Sequence, residues 1–373
     1  MPRISAILST FNDEKYLPQA VESILNQTYT DFEFIIIDDA STDGTHEILG
    51  RYRDERIICF RNQKNMERSF SRNRAAQVAS GEFIAIMDAD DISLPDRFAT
   101  QIGYFESHPN VDVLGSSALA FESNSNKRWK RWQHDETHNE IAWGNITTVP
   151  FIHPTIMMRK DVFFQVGGYK EYYPCEDAEL WMRMLTNRAR FSNLAVPLIL
   201  YRTSEFQRAR QNASIAQAKE IKRAFLETFI GQNINTFEYD LILPIQIAEK
   251  KKISIDEVKR GVALLKMIID EFIKRQLFDG GPVDIDNVYF RSVAKVIRKN
   301  ENLRRWFLNE FILDENRSSL SQHYWLNKEV PPPLRWLGYF VNSPKQAINL
   351  IDEVINEKRT ISCLQKKYRS LCG

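Results

Sequence analysis

The sequence has little cysteine, no long apolar run and almost no net charge. Four cysteines in 373 residues show no CxxC or zinc-type spacing, which excludes a disulfide-dense scaffold and predicts a reducing compartment. No stretch reaches the ~18 apolar residues of a membrane-spanning helix, and the short apolar run after Met1-Pro2-Arg3 is unlike a signal peptide. We therefore expect a soluble, cytoplasmic protein.

Charges of opposite sign nearly cancel, with 50 Lys and Arg against 49 Asp and Glu, a net charge of +1. This balance gives no bulk attraction to polyanions, so we expect no nucleic-acid partner, and any acidic ligand must be bound at a local site. Basic residues and tryptophans do interleave between 127 and 132, a pattern that can bind nucleic acid by charge and stacking. Stacking of these tryptophans on sugar rings, or packing in the core, is the preferred interpretation.

The hydrophobic pattern predicts an α/β fold followed by helices. Up to about residue 120, short apolar runs alternate with amphipathic segments, as in βαβ units around a mainly parallel sheet. The pattern predicts strands at 4–9, 32–37, 57–60 and 83–87, with helices after Pro18 and around 71–80. A mixed α+β extension follows to about 205, and then helices at 209–230 and 255–272. We predict a catalytic domain at 1–207 and a helical C-terminal domain at 208–373.

Acidic residues follow two of the predicted strands. Asp38-Asp39 follows the second strand, and Asp88-Ala89-Asp90-Asp91 follows the fourth. In open α/β sheets, ligands bind beyond the carboxyl ends of the strands. Carboxylates gathered there repel one another unless a cation or hydrogen-bond donors compensate them, and a divalent metal that also binds substrate phosphates would do so. Taken singly, such acids also begin turns and cap helices.

Two common phosphate-binding motifs are missing. Neither GxGxxG nor GxxxxGK[ST] follows the first strand, where Ser9-Thr10-Phe11-Asn12 stands, so ordinary dinucleotide binding and P-loop hydrolysis are disfavoured. A metal-assisted reaction on a phosphorylated substrate remains, with Arg72 or Arg74 placed to reach a diphosphate. Either arginine could equally lie on a solvated helix face.

Several short segments occur in an order that resembles the inverting family 2 glycosyltransferases of the GT-A fold, over roughly residues 3 to 205. The segments are Ser9-Thr10-Phe11-Asn12, Ser23-Ile24-Leu25-Asn26-Gln27-Thr28, Ile37-Asp38-Asp39-Ala40-Ser41-Thr42-Asp43-Gly44-Thr45, Ser71-Arg72-Asn73, Ser80-Gly81-Glu82, Asp88-Ala89-Asp90-Asp91, Gly167-Gly168-Tyr169 and Glu176-Asp177-Ala178-Glu179-Leu180-Trp181-Met182-Arg183.

The resemblance implies a nucleotide-sugar donor, UDP-linked in the first instance, and a donor site with named residues. Asp88 would lie near the ribose, Asp90 would bind Mn²⁺ or Mg²⁺, and Arg72 would face the nucleotide. The implied nucleotide-binding residues are Thr10, Phe11, Asn12, Asp39, Arg72, Asp88, Ala89 and Asp90.

The resemblance also implies an acceptor site around a catalytic base. Asp177 would be the general base, taking the proton of an acceptor hydroxyl, while Glu176, Trp181 and His153 would border the acceptor. The Glu176-Asp177 pair is also what a helix N-terminus favours, and both interpretations can hold together. His153 could equally be a core histidine.

Two features modify this picture. Many relatives carry a histidine metal ligand after a Tyr-Arg pair, whereas here Tyr201-Arg202-Thr203 is followed by Ser204, a weaker or water-mediated ligand at best. The aromatic stretch from Pro331 to Phe340 could lie on a membrane surface that presents a lipid-linked acceptor. Packing of these aromatics within the helical domain is the preferred interpretation of that stretch.

The sequence therefore predicts an inverting, metal-assisted glycosyltransferase that acts on a glycan or lipid-linked acceptor in surface polysaccharide or lipopolysaccharide synthesis. Two other hypotheses remain open at this point. One is a sugar-phosphate nucleotidyltransferase, although the glycine-rich loop of that class is missing. The other is a catalytically silent glycosyltransferase-like binding module, which the absent histidine favours and the retained Asp88, Asp90 and Asp177 oppose.

Overall fold

A computed structural model of the chain describes residues 1–122, 130–171, 175–203, 205–243 and 255–279. The chain divides into two compact units, one of residues 1–231 with 272–278 and the other of residues 232–271 with 279–373. The predicted boundary at residue 207 between a catalytic and a helical domain stays a prediction.

A mixed sheet forms the centre of the first unit. Its strands, in the described residues, are β1 (Ile4–Thr10), β2 (Phe32–Asp38), β3 (Ile57–Arg61), β4 (Phe83–Asp88), β5 (Ile92–Ser93), β6 (Val113–Glu122), β7 (Lys130–Trp132), β8 (Met157–Arg159) and β9 (Phe191–Thr203). The spatial order is β3-β2-β1-β4-β8-β6-β9-β5, and β7 pairs with β6. Strands β1 to β4 are parallel, as predicted, whereas β8 runs antiparallel to both β4 and β6.

Helices connect the strands and follow the sheet. They are α1 (Leu17–Leu25), α2 (Thr45–Leu49), α3 (Glu67–Val78), α4 (Arg97–Ser107), α5 (His138–Thr147), α6 (Lys160–Gln165), α7 (Glu176–Thr186), α8 (Glu205–Ile230), α9 (Thr236–Ile242) and α10 (Ile255–Lys274), with a short 3-10 helix at His153–Thr155. Helix α8 stops at Gly231, whose φ of 69° is the left-handed conformation that ends many helices.

The core lies on both faces of the parallel strands, which explains their nearly continuous apolar sequence. On one face, alternate residues such as Ile4 and Phe34 join a cluster with apolar residues of α1 and α4, including Val21 and Phe98. Helix α3 packs against β1 and β2. The last residues of these strands thus lie at a common edge. Their register is fixed, because a shift of one residue would exchange the side chains of the two faces.

The structure corrects two local predictions. Helix α3 spans Glu67–Val78 rather than 71–80, because Ala79 is extended and the Ser80 N–H donates to Glu33 Oε1 at 2.6 Å. From sequence, the two histidines at i, i+4 in the segment 134–138 are interpreted as an exposed helix start rather than a metal site, but α5 begins only at His138, after the N-cap Thr137. The His138 ring is partly buried, with Nδ1 accepting from the Phe191 N–H and Nε2 lying 3.0 Å from the Leu277 carbonyl oxygen.

The second unit is helical in its described residues, as predicted for this part of the chain. Helix α9 begins with a capping box in which the Asn235 side chain and Glu238 satisfy each other's backbone N–H groups. Gly261 of α10 lies so close to Leu241 of α9 that a Cβ there would be 3.0 Å from the leucine Cβ. No helix in the described ranges has the length and apolarity to cross a bilayer.

Gly81, just before β4, generates a test of this packing. A Cβ at Gly81 would lie 2.7 Å from both the Ile4 carbonyl carbon and the Ser5 backbone nitrogen, so Gly81→Ala must push β1 and β4 apart. We expect a loss of about 1–3 kcal/mol in the free energy of unfolding, measured by urea denaturation.

Gly103→Ala is the matched control. Gly103 lies inside α4 with nothing within 4 Å of its added Cβ, so alanine there should stabilise the protein by up to about 1 kcal/mol. Equal urea midpoints for the wild type and Gly81→Ala would contradict the close approach of these strands.

Candidate active site

Three neighbouring strands end at the same level and form the edge that holds the acidic residues. Thr10 at the end of β1 is in register with Asp38 of β2, and Ser9 is in register with Asp88 of β4. Strand order changes direction here, since β2 and β3 lie on one side of β1 and β4 lies on the other. Such a switch point opens a crevice at the carboxyl ends of the strands, where α/β proteins bind ligands.

Two of the predicted nucleotide-binding residues, Thr10 and Asp39, form one side of this edge. The Asp39 N–H donates to the Thr10 carbonyl at 2.9 Å, and its buried Oδ1 accepts from Asn62 Nδ2 at 2.5 Å and from the Met66 N–H at 2.9 Å. The backbone of Asp39 is thus fixed to the end of β1, and its carboxylate is fixed to residues that follow β3.

The loop after β1 lies against the loop after β2. Asn12 Oδ1 accepts from the Thr42 N–H at 2.8 Å, and the Asn12 N–H donates to Ser41 Oγ at 3.0 Å. Asn12 and Ala40 both have positive φ, 58° and 64°, which the cross-loop bonds hold in place. The Phe11 ring is 43% exposed at this edge, so an aromatic face is available to a planar ligand.

Arg72 joins Asp88, at the end of β4, to Glu176, the residue before the predicted base Asp177. Its buried guanidinium donates through Nη2 to Asp88 Oδ1 at 2.9 Å and through Nη1 to Glu176 Oε1 at 2.8 Å, above the Tyr169 ring. Burial would raise the pKa of Asp88, but the charges of Arg72 and His153 outweigh it and hold that pKa well below its usual range. Asp88 therefore stays ionised.

Asp90 behaves in the opposite way. Burial, and then the charges of Asp88 and Asp13, raise the pKa of Asp90 to about 6. A desolvated carboxylate beside other acids gains from a cation, and its oxygen atoms suit a hard divalent ion that also binds substrate phosphates. No three His, Cys, Asp or Glu side chains of the described residues are grouped to hold a metal by themselves. Ser204 lies outside the described residues.

Two of the predicted edge acids face the protein instead. Asp38 Oδ1 accepts from the Ser41 N–H at 2.9 Å, and its Oδ2 lies 3.3 Å from Arg61 Nε. Asp91 Oδ1 accepts from the Arg202 N–H at 2.7 Å, while Arg202 Nε donates to the Asp90 carbonyl at 2.7 Å. Asp38 and Asp91 are thus compensated by hydrogen-bond donors of the protein and fix loops and strands.

The predicted general base, Asp177, lies in the first turn of α7. Its Oδ1 accepts from the Ala178 N–H at 2.8 Å. Burial and Glu176 raise the pKa of Asp177 against the lowering effect of His153 and Arg72. A carboxyl group with a raised pKa is a stronger proton acceptor than an ordinary aspartate when it is ionised.

The three residues predicted at the acceptor surround this helix start. Glu176 is buried against Arg72, and its Oε2 has no hydrogen-bond partner. His153 Nε2 is 2.9 Å from the Tyr169 hydroxyl, and its Nδ1 is 3.9 Å from Asp88 Oδ1. Trp181 is fully buried, and its indole packs against Phe151 and His153. His153 thus lies beside Asp88, and its charge also acts on the predicted base Asp177.

The structure adds residues that sequence reasoning did not select. Asp13 accepts from the Thr10 hydroxyl at 2.9 Å and from the Phe11 N–H at 3.1 Å, and its charge acts on Asp90. The charge of exposed Arg68 acts on Asp13, Asp88 and Asp90. The proximity of Asp13 to Asn12 in sequence was a usable signal, whereas nothing distinguishes Arg68 from a solvated helix residue.

Two motifs that are distant in sequence meet behind Arg72. The Asn73 side chain donates to the Tyr169 carbonyl at 2.7 Å and accepts from the Tyr169 N–H at 2.9 Å. Gly168 (φ 65°) lies so close that a Cβ there would be 2.6 Å from Asn73 Oδ1. The glycine pair therefore serves to place Tyr169 beneath the guanidinium.

Comparisons with known proteins identify the family of this chain. The family model described as "Glycosyl transferase family 2" matches residues 5–167. The uncharacterized glycosyltransferase MJ1057 of Methanocaldococcus jannaschii is 34% identical over 209 residues, which are 54% of this chain and 71% of that protein. The O-antigen biosynthesis glycosyltransferase WbnJ of Escherichia coli is 32% identical over 208 residues, 53% of this chain and 79% of that protein.

Among solved structures, S. aureus TarS 1-349 in complex with UDP-GlcNAc matches with a TM-score of 0.51 at 19% identity. The match covers 81% of this chain and 90% of that chain. The likeness is one of fold, and it confirms the predicted GT-A architecture.

The Arg72 bridge predicts a pH-dependent loss of stability. Arg72→Met leaves the buried Glu176 carboxylate and the half-buried Asp88 carboxylate without their cation, which should cost about 3–5 kcal/mol of unfolding free energy near pH 8. Without the guanidinium the pKa of Asp88 rises, so Asp88 becomes neutral on acidification and the difference from the wild type should shrink toward pH 5. Urea unfolding at both pH values measures it.

Arg74→Met, two residues later and on a different face of α3, is the control. Its guanidinium bonds to the Asn62 side chain and the Arg61 carbonyl rather than to a carboxylate, so its loss should be small and independent of pH over this range. A pH-independent loss for Arg72→Met would show that the ion bridge is not what stabilises this site.

Proposed function

The chain belongs to glycosyl transferase family 2 and is a glycosyltransferase, and from that premise we propose that it moves a sugar from a UDP-sugar to an acceptor hydroxyl. The acceptor is proposed to be a glycan or a lipid-linked saccharide in surface polysaccharide or lipopolysaccharide synthesis. The UDP-GlcNAc complex of TarS and the O-antigen role in the name of WbnJ support the choice of donor and setting.

One observation carries the proposal: Arg72 binds Asp88 and Glu176 together, and Glu176 immediately precedes Asp177. The bridge sets the distance between the end of β4 and Asp177. A nucleotide diphosphate would lie at the end of β4, and the Asp177 carboxylate would accept the proton. Proximity of two reacting groups in a fixed orientation is itself a large part of catalysis.

The proposed reaction is a single displacement. Asp177 accepts the proton of the acceptor hydroxyl as its oxygen bonds to the anomeric carbon, and the bond from that carbon to the diphosphate oxygen breaks. UDP leaves with the bonding electron pair, and attack from the opposite face inverts the anomeric configuration. No covalent enzyme intermediate is required.

On the donor side, the residues have separate tasks in this proposal. Phe11 and Asp39 hold the nucleotide base of the donor, Asp88 lies toward its ribose, and Arg68 faces its diphosphate. Asp90, with Asp88 and Asp13 nearby, would hold Mn²⁺ or Mg²⁺, whose charge would offset the negative charge that grows on the leaving group.

Cytoplasmic localisation, and a peripheral membrane contact through the C-terminal region, belong to the same proposal. A lipid-linked acceptor would be presented at the inner face of the cell membrane. That face is in contact with the cytoplasm, which would supply the nucleotide sugar. The aromatic stretch from Pro331 to Phe340, on which the membrane contact would depend, lies outside the described residues.

Donor binding is tested by thermal shift with UDP, UDP-GlcNAc, UDP-glucose and GDP-mannose, each with MnCl₂ or with EDTA. A ligand that binds only the folded state raises the melting temperature, so we expect a shift with UDP compounds that EDTA diminishes. UDP release with added acceptors then separates the hypotheses. Pyrophosphate formation would indicate a nucleotidyltransferase, and binding without turnover a silent module.

The catalytic base is tested with Asp177→Asn. The amide cannot accept the proton, so kcat should fall by ~10²–10⁴-fold, while the Kd for UDP measured by calorimetry should change little. Asp31→Asn, at an exposed position just before β2, is the matched control and should retain wild-type kcat.

Near-normal turnover by Asp177→Asn would eliminate Asp177 as the base. Loss of UDP binding in the same variant would instead place Asp177 on the donor side of the site.

A further inference from the structure

A lysine from outside the matched family region is buried on α8, the helix that packs against α7, where the predicted base lies. Lys222 lies on α8, whereas the family model ends at residue 167. Its side chain is 5% exposed, and its ammonium donates a hydrogen bond to the Thr148 carbonyl oxygen, just after α5. Burying a lysine charge is costly, so a lysine in this position calls for an electrostatic reason.

The groups whose charge acts on Lys222 identify that reason. Burial lowers the pKa of Lys222 to about 8, against the opposing effect of Asp177 and Cys175. Burial, followed by Asp177 and Glu176, raises the pKa of the Cys175 thiol to about 12, so Cys175 is neutral near pH 7. Cys175 is the N-cap of α7 and is hydrogen-bonded to the backbone of Ala218, which lies one helical turn before Lys222 on α8. This contact places the start of α7, with the Asp177 carboxylate, beside the part of α8 that carries Lys222.

Asp177 needs such a cation. Burial and Glu176 both favour its protonated form, which cannot act as a base. His153 and Arg72 oppose them, but Arg72 is shared between Asp88 and Glu176, and Tyr169 stands beside the same cluster as a neutral hydroxyl. Lys222 adds a positive charge from α8, which packs against α7.

We propose that Lys222 is a positioning residue for glycosyl transfer, whose buried ammonium keeps the Asp177 carboxylate in its proton-accepting form. This inference rests on the proposed role of Asp177 as the base. It gives α8 a function in the reaction, because the helix that follows the catalytic strands supplies a charge that the matched family region does not contain.

The test is the pH dependence of kcat/KM in Lys222→Met, which keeps the apolar stem and removes the charge. Without the cation, Asp177 is protonated at higher pH, so the acid limb should shift upward by about one pH unit, a ~10-fold loss on that limb. The rate should approach the wild-type value above the limb, and the KM for the UDP-sugar should not change.

Stability provides the readout that separates this role from a structural one. Replacing a buried charge with an apolar side chain of similar length is often neutral or stabilising, so Lys222→Met should melt no lower than the wild type. Lys222→Arg, which keeps the charge, should restore the wild-type acid limb. Should Lys222→Met fail to fold, Lys222→Gln serves for the same profile.

Lys219→Met, the same change three residues earlier on α8 at a less buried position, is the control and should leave the profile unchanged. A folded Lys222→Met enzyme whose acid limb stays in place, or moves to lower pH, overturns the proposal.

The two proposals fail separately. If Asp177→Asn keeps its turnover, the base assignment is wrong, and the role proposed for Lys222 is overturned with it. If Asp177→Asn is inactive but the Lys222→Met limb does not move, only the Lys222 inference is overturned.

Discussion

The site depends on one buried guanidinium shared between two carboxylates. Arg72, on α3, binds Asp88 at the end of β4 and Glu176 at the start of α7, residues 16 and 104 positions away in sequence. Its planar group offers separate N–H donors in fixed directions, so both carboxylates are held in distance and in orientation. Both carboxylates depend on the same cation, so Arg72 joins the parallel strands to the later half of the unit.

The acids of the site divide into two electrostatic classes. Asp88 is held ionised by Arg72, while Asp38 accepts a backbone hydrogen bond and pairs with Arg61. Asp90 and Asp177 both have raised pKa values, chiefly through burial. Asp88 therefore binds a proton poorly, whereas Asp90 and Asp177 bind one more readily. They differ in environment and not in residue type, so one kind of side chain can serve as anchor, cation ligand or base.

Much of the parallel sheet could be predicted, because strands buried on both faces leave continuous apolar runs that end in polar residues. The gathering of Asp39 and Asp88 at one edge was predicted from the strands that they follow, and Thr10 was predicted from the family resemblance. What escaped prediction depends on contacts between distant segments. The pairing of Arg72 with Glu176, the inward turn of Asp91 toward Arg202 and the burial of Lys222 leave no local pattern, since each residue type is ordinary on a solvated helix or in a turn.

Strand β9 has a consequence for how this chain can vary in length. Arg202, near its end, is hydrogen-bonded to the Asp90-Asp91 loop, and Lys222 follows 20 residues later on the helix that begins at Glu205. Each helical residue turns the chain by about 100°, so one residue inserted between Glu205 and Lys222 would carry the ammonium to another face of α8. The number of residues between Arg202 and Lys222 therefore determines whether the Lys222 ammonium lies on the face of α8 that is proposed to act on Asp177.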